Sequence, residues 1–136
     1  MRGASAGPRR TLGGAMTQQQ PATEPLSKEM QDCVQACMTC HGVCEEAMSA
    51  CLQRGGEDRT RITRALLDCS EMTRMCADMM MRRSPLHNEM CMMCAQACDL
   101  CAEACMTMPE DELMTRCAES CRRCSEMCRA MAGAPM

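Results

Sequence analysis

The sequence predicts an all-α protein, an up-down-up-down antiparallel four-helix bundle with a Cys-lined core. Three observations carry this. The first is period. Met30, Cys33, Cys37, Cys40, Cys44, Ala47 and Cys51 follow one another in alternating steps of 3 and 4, as do His87, Cys91, Cys94, Cys98, Cys101, Cys105 and Met108. Met114, Cys117, Cys121, Cys124, Cys128 and Met131 make a further such stripe. Alternating 3/4 steps keep side chains on one face of a helix. The second is composition: no Phe, Tyr or Trp, one Ile and two Val, so strand formers are nearly absent. The third is punctuation. Turn signals cut the chain into four segments of about 20 to 27 residues joined by short connections, the pattern of antiparallel neighbours.

The elements follow in order. Residues 1–26 are rich in Gly, Pro, Gln, Thr and Ala without a period, which predicts a disordered tail. Residues 27–132 then form the bundle domain. Ser27 is the predicted N-cap of the first helix, with Glu29 in its first turn. That helix runs to about Gln53 and stops at Gly55-Gly56. The second begins near Glu57-Asp58, carries the sparse stripe Ile62, Ala65, Cys69, Met72, Cys76, Met79, and ends near Arg83. Ser84-Pro85 predicts the start of the third, with Ser as N-cap and Pro at the first helical position, running to about Thr107. Pro109 followed by Glu110-Asp111-Glu112 opens the fourth, with acids on the positive end of the dipole; it ends before Gly133.

Sixteen Cys and nineteen Met take the positions that Leu, Ile and Val normally hold. Cys behaves as a small buried hydrophobe and Met as a flexible gap-filler. A core of small thiols buries little apolar area, so packing alone predicts modest stability, with bound metal adding to it. A net charge of −3 and scattered arginines argue against nucleic acid as a partner. No apolar run approaches membrane-spanning length. Arg9-Arg10 hints at a twin-arginine leader, but residues 13–20 form no apolar stretch behind it. A cytoplasmic, reducing location is the expectation.

The stripes carry chemistry. Cys-x-x-x-Cys occurs six times on them: Cys33/Cys37, Cys40/Cys44, Cys94/Cys98, Cys101/Cys105, Cys117/Cys121 and Cys124/Cys128. Residues four apart on a helix have Cβ atoms about 6 Å apart, so two thiolates can close on one ion in nearly linear geometry. Cu(I) favours such low-coordinate soft sites. Cys-x-x-Cys steps link neighbouring pairs, so each thiolate can bridge two ions, and capacity approaches one Cu(I) per Cys, about 16 per chain. One Cu(I) per thiolate leaves the filled core neutral, whereas bare buried thiolates are prohibitive. The apo core therefore stays protonated, and loading releases protons.

Antiparallel geometry predicts levels. Cys37, Cys76, Cys94 and Cys128 should share one, and Cys44, Cys69, Cys101 and Cys121 another, about two turns away. Zinc or cadmium on four thiolates fits less well, because structural zinc sites usually draw on knuckles. An iron–sulfur electron carrier usually takes its Cys from loops. A disulfide scaffold needs an oxidising compartment. Plain burial accounts for one or two Cys per helix, not four or five. His87, one turn before Cys91, is a candidate ligand at the mouth of the third helix, while His41 reads as a surface residue. Met30, Met79 and Met131 converge with His87 at one end, near Met80, Met90 and Met127. They read as gap-fillers singly and as a gate of weak Cu(I) ligands together. A Met-rich surface of Met80, Met81, Met92 and Met93 is the basis for an alternative role as an interaction module. No nucleophile–base pair, phosphate loop or paired carboxylate stands out, so no enzyme activity is expected.

Cys-x-x-x-Cys pairs along the helices of a bundle with no other core resemble the bacterial copper storage proteins. Cys37-Met38-Thr39-Cys40-His41 and Cys91-Met92-Met93-Cys94-Ala95-Gln96-Ala97-Cys98 carry the resemblance, which spans about Ser27 to Met131. It implies a homotetramer of bundles, each holding many Cu(I) ions, and is closest to the cytosolic branch. By position it implies as ligands Cys33, Cys37, Cys40, Cys44, Cys51, Cys69, Cys76, Cys91, Cys94, Cys98, Cys101, Cys105, Cys117, Cys121, Cys124 and Cys128, with His87 at the mouth. A copper chaperone is the expected partner. The second helix, with only Cys69 and Cys76, departs most from the pattern.

Overall fold

The computed structural model describes residues 24–54 and 59–133. Four helices follow one another: α1 (Lys28–Arg54), α2 (Thr60–Met81), α3 (His87–Cys105) and α4 (Glu112–Gly133). Among the described residues there is no strand. Each helix packs on its two neighbours in a ring, α1 on α2 and α4, α3 on α2 and α4. This is the up-down-up-down bundle, and its axis is filled by the cysteine stripes. Most of the predicted tail lies outside the described residues, as do the stop at Gly55-Gly56 and the start at Glu57-Asp58.

The ends show which polar groups close each helix. Ser27 caps α1 as predicted: its Oγ accepts from the Met30 N–H at 3.2 Å. The C-terminus of α2 is a Schellman motif, in which the Ser84 N–H reaches the Met79 carbonyl at 2.9 Å and the Arg83 N–H reaches Met80 at 3.0 Å. Arg83 pays for this with a left-handed backbone, φ 56°. Its guanidinium donates to the Glu24 carbonyl and ties the segment before α1 to this end of the bundle.

Two predicted starts move. Ser84-Pro85 does not open α3, because Ser84 still belongs to the cap of α2. Its Oγ instead accepts from the Leu86 N–H at 3.1 Å in a turn, and regular helix begins at His87. Pro109 does not open α4 either. Asp111 is the capping residue, with Oδ1 accepting from the N–H groups of Leu113 at 3.0 Å and Met114 at 3.2 Å. Its other oxygen pairs with Arg54 at the end of α1.

The Arg54 guanidinium, with the two backbone donors, holds the Asp111 carboxyl below the usual carboxylate range. A depressed folded-state value means stability that is present above the unfolded value, near pH 4, and lost as pH falls through the folded one. An Asp111→Ala variant should lose about 1 kcal/mol at neutral pH through the missing cap. The gap from wild type should close below about pH 4. Urea unfolding of the reduced protein at pH 7 and pH 3 reads both effects. An undiminished gap at pH 3 would assign the loss to packing instead.

The interior differs from the prediction in the phase of α2. Its buried side is Ile62, Leu66, Cys69, Ser70, Thr73, Cys76, Ala77 and Met80, while Ala65, Met72 and Met79 are half-buried on its flank. Both phases pass through Cys69 and Cys76, so the cysteines alone do not choose between them. Burying Leu66 and Met80 rather than Ala65 and Met79 removes more apolar area from water. Thr73 fills the step between the two cysteines and turns its hydroxyl back to the Cys69 carbonyl at 2.7 Å.

Candidate metal centre

Every one of the sixteen cysteines is a free, buried thiol. Fifteen have no measurable exposure and Cys51 has 2%. Their burial follows from the local sequence: along α1, α3 and α4 the inward stripe is mostly Cys, Ala and Met, while on α2 Leu66 and Thr73 flank Cys69.

Fourteen of the sixteen gather into overlapping groups whose sulfurs lie within 4.8 Å of one another. The predicted level of Cys37, Cys76, Cys94 and Cys128 is present, one thiol from each helix. Cys37 and Cys128 approach to 3.8 Å, Cys124 and Cys37 to 3.6 Å. The second predicted level is corrected. Cys69 joins Cys40, Cys44 and Cys121, whereas Cys101 joins Cys44, Cys117 and Cys121. Successive stripe positions differ by three or four residues, about 5 to 6 Å along the axis. Neighbouring helices can therefore be staggered by half a step, and a flat ring of four becomes two groups sharing Cys44 and Cys121.

Two smaller groups extend the array: Cys33, Cys91 and Cys128 at one end, and Cys40, Cys98 and Cys124 in the middle. Shared members join the groups into two sets, and the Cys124–Cys37 contact at 3.6 Å joins those sets into one sulfur column. Cys69 links across the core to Cys98 at 3.7 Å and Cys121 at 3.8 Å, so α2 takes part in the column with only two cysteines.

Two cysteines stand outside the groups. Cys105 is buried beside Cys101 and Cys117, which with burial hold its thiol above the ordinary range. Cys51 lies at the far end of α1, where the nearest polar partner is the Arg59 guanidinium at 4.0 Å.

Electrostatics favour a protonated core where no cation is bound. Burial pushes the thiols up throughout the column, and S–H···S contacts then divide them into donors and acceptors. Contacts with Cys124, Cys33, Cys37 and Cys76, with burial added, hold Cys128 above the usual thiol range. Contacts from Cys105, Cys117, Cys121 and Cys44 draw Cys101 below it, against its burial. Among the described residues no cationic side chain lies inside the column to neutralise several thiolates at once. Only a cation entering the column can do so, and a soft monovalent one matches thiolate charge one for one.

The histidines are set apart from the sulfurs. His87 is half-buried, and its Nδ1 lies 2.8 Å from the Ser84 carbonyl. A carbonyl only accepts, so Nδ1 carries the proton and Nε2 the lone pair. The turn that delays the start of α3 holds the ring outside the thiol groups. His41 is half-buried rather than exposed. Its Nδ1–H is shared between the carbonyl (2.8 Å) and hydroxyl (3.1 Å) of Ser70, and that hydroxyl donates to Glu45. It thus fastens α1 to α2, a role invisible without the α2 phase.

At the Met-rich end, Met80 replaces Met79 as the core-facing residue, with Sδ 4.0 Å from the Cys91 thiol. Met30 is also buried, and Met90, Met127 and Met131 pack against the same core from its edge. The predicted Met-rich surface therefore loses Met80, which has no exposure, and keeps Met81, Met92 and Met93.

With this geometry in place, comparison with known proteins is informative. The sequence profile of one family, described as copper storage protein, matches residues 26–133. Among solved structures, the Cu(I)-bound copper storage protein BsCsp3 is 26% identical with a TM-score of 0.73, covering 78% of this chain and 100% of that one. Apo-Csp3 from Bacillus subtilis is 27% identical with a TM-score of 0.71, covering 76% and 98%. The Nmul_A1745 protein from Nitrosospira multiformis is 32% identical with a TM-score of 0.71, covering 79% and 98%. No curated protein matches the chain.

Proposed function

This chain belongs to the copper storage protein family, and from that premise we propose that it is a Cu(I) store, holding many ions on the thiolates of its bundle core. One observation carries the reading: fourteen buried cysteines form a continuous set of sulfur groups with members within 4.8 Å. Nothing in that column is built for turnover. Among the described residues no carboxylate or histidine joins the sulfur groups, and the Thr73 hydroxyl in this core is turned back to the Cys69 carbonyl. It suits retention, keeping a redox-active ion away from water and oxidants.

The stripe cysteines are the proposed ligands, about one Cu(I) for each, with Cys51 and Cys105 as outlying members. His87 is the proposed mouth ligand through its Nε2, one turn before Cys91, against whose thiol Met80 packs. Thioethers bind Cu(I) weakly and would pass an ion inward rather than keep it. The proposal extends to a cytoplasmic location, where thiols stay reduced, to a homotetramer, and to a copper chaperone as donor or acceptor. No helix among the described residues is long and apolar enough to cross a membrane.

The test is an anaerobic Cu(I) titration of the reduced protein against a high-affinity chelator. Uptake of roughly 10 to 20 equivalents before the chelator colours is the expected result. Saturation at one or two equivalents would replace storage by a discrete cofactor site.

A further inference from the structure

The side of α2 turned away from the sulfur column carries a pattern that metal storage does not use. Between α2 and α3 runs an open groove of about 700 Å³, with Ala65, Met72, Met93 and Leu100 in its apolar lining. Met93 and Leu100 are 53% and 60% exposed in this groove, where they adjoin Ala65 and Met72 rather than standing singly. Four charged residues of α2 border the same groove: Arg61, Arg64, Asp68 and Glu71. None of their side chains makes an ion pair or hydrogen bond with another described residue. Other charges do pair across helices, as in Arg116 with Glu46 and Arg129 with Asp99.

Their order along the helix is basic, basic, acidic, acidic. Arg61 and Glu71 lie five residues either side of position 66, and Arg64 and Asp68 lie two residues either side of the same position. A twofold axis crossing α2 at that level therefore matches both pairs at once. It sets Arg61 against the partner's Glu71 and Arg64 against the partner's Asp68, and the reverse. An arrangement of unpaired charges with one common centre is self-complementary, which is what an isologous contact requires.

We propose that this face is the contact between two copies of the chain. Their α2 helices run antiparallel about a twofold axis at the level of Leu66. The groove apolar residues are covered by the partner, and the four charges close into two reciprocal sets. The contact gives the assembly proposed above one defined interface and rests on that assembly, not on the copper reading.

The experiment is light scattering after size exclusion on the full-length reduced protein, with helicity by circular dichroism as a control on folding. Arg64→Glu should halve the solution mass or weaken association by about tenfold or more, because it sets like charges face to face across the axis. Asp68→Arg should do the same. Combining Arg64→Glu with Asp68→Arg should restore the wild-type mass. Within one helix the same exchange shifts helix stability by only a few tenths of a kcal/mol, so a same-chain pair cannot produce that restoration. Monomeric wild-type protein, single variants of unchanged mass, or a double variant that stays dissociated would each overturn the proposal. Cu(I) capacity measured on the same samples should stay at the wild-type value, which separates failure of this contact from failure of the storage reading.

Discussion

Loading the reduced protein with Cu(I) should raise its thermal unfolding midpoint by about 20 °C or more. The apo core explains why the shift is large. It contains no aromatic side chain, and its largest fully buried residues are Leu66, Met80 and Met114 among many cysteines. Small side chains remove little apolar area from water, so the unloaded bundle depends on a thin margin. Each bound ion links thiols that come from different helices, as at Cys37, Cys76, Cys94 and Cys128. An ion present at a hundred times its dissociation constant adds about 2.7 kcal/mol, so a few ions match the entire 5–15 kcal/mol of an ordinary domain. The unfolded chain keeps its cysteines and binds some copper too, which reduces the gain without cancelling it. Anaerobic melts of the apo and loaded protein make the comparison. Midpoints within about 3 °C of each other would show that copper does not bridge the helices.

Replacing Cys37, Cys76, Cys94 and Cys128 together by Ser should lower Cu(I) capacity by about four equivalents, while Cys51→Ser should remove one or none. The two sets differ in surroundings, not in residue type. The first is a complete sulfur group with a member on every helix, whereas Cys51 joins no sulfur group and has the Arg59 guanidinium as its hydrogen-bond partner among the described residues. The serine variant has a route to folding. Thr73 already buries a hydroxyl in this core by returning it to its own helix at the Cys69 and Ser70 carbonyls. Proton release gives an independent reading. Thiols such as Cys128, held protonated by their neighbours and by burial, must each give up a proton to bind. Affinity should therefore weaken as pH falls, about tenfold per pH unit for each proton displaced. A potentiometric titration during loading should count about one proton per ion, falling in step with capacity in the serine variant. Unchanged capacity after loss of the four thiols would place the copper elsewhere.

The helices and their inward faces were legible because each rests on periodicity. Alternating 3/4 steps place Cys33 through Cys51, Cys91 through Cys105 and Cys117 through Cys128 inside whatever the neighbouring helices do. The level of Cys37, Cys76, Cys94 and Cys128 followed from antiparallel order alone. Helix ends were less legible, since several residues compete for each cap. Ser84 looked like the start of α3 and proved to be the end of α2, and Asp111 outcompeted Pro109 because its carboxylate reaches two N–H groups and Arg54 together.

The sequence by itself therefore determined the class of the fold, the sulfur interior and the kind of ion that suits it. These depend on residue type and on spacing within single helices. The tertiary structure alone decided the phase of α2, the sharing of Cys44 and Cys121 between two groups, and the isolation of Cys51. It also decided the capture of His41 by Ser70 and the open groove along α2 and α3. Each of these depends on the axial stagger and rotation of one helix against another. Those are set by the sum of many contacts across the bundle, and no run of residues within one helix encodes them.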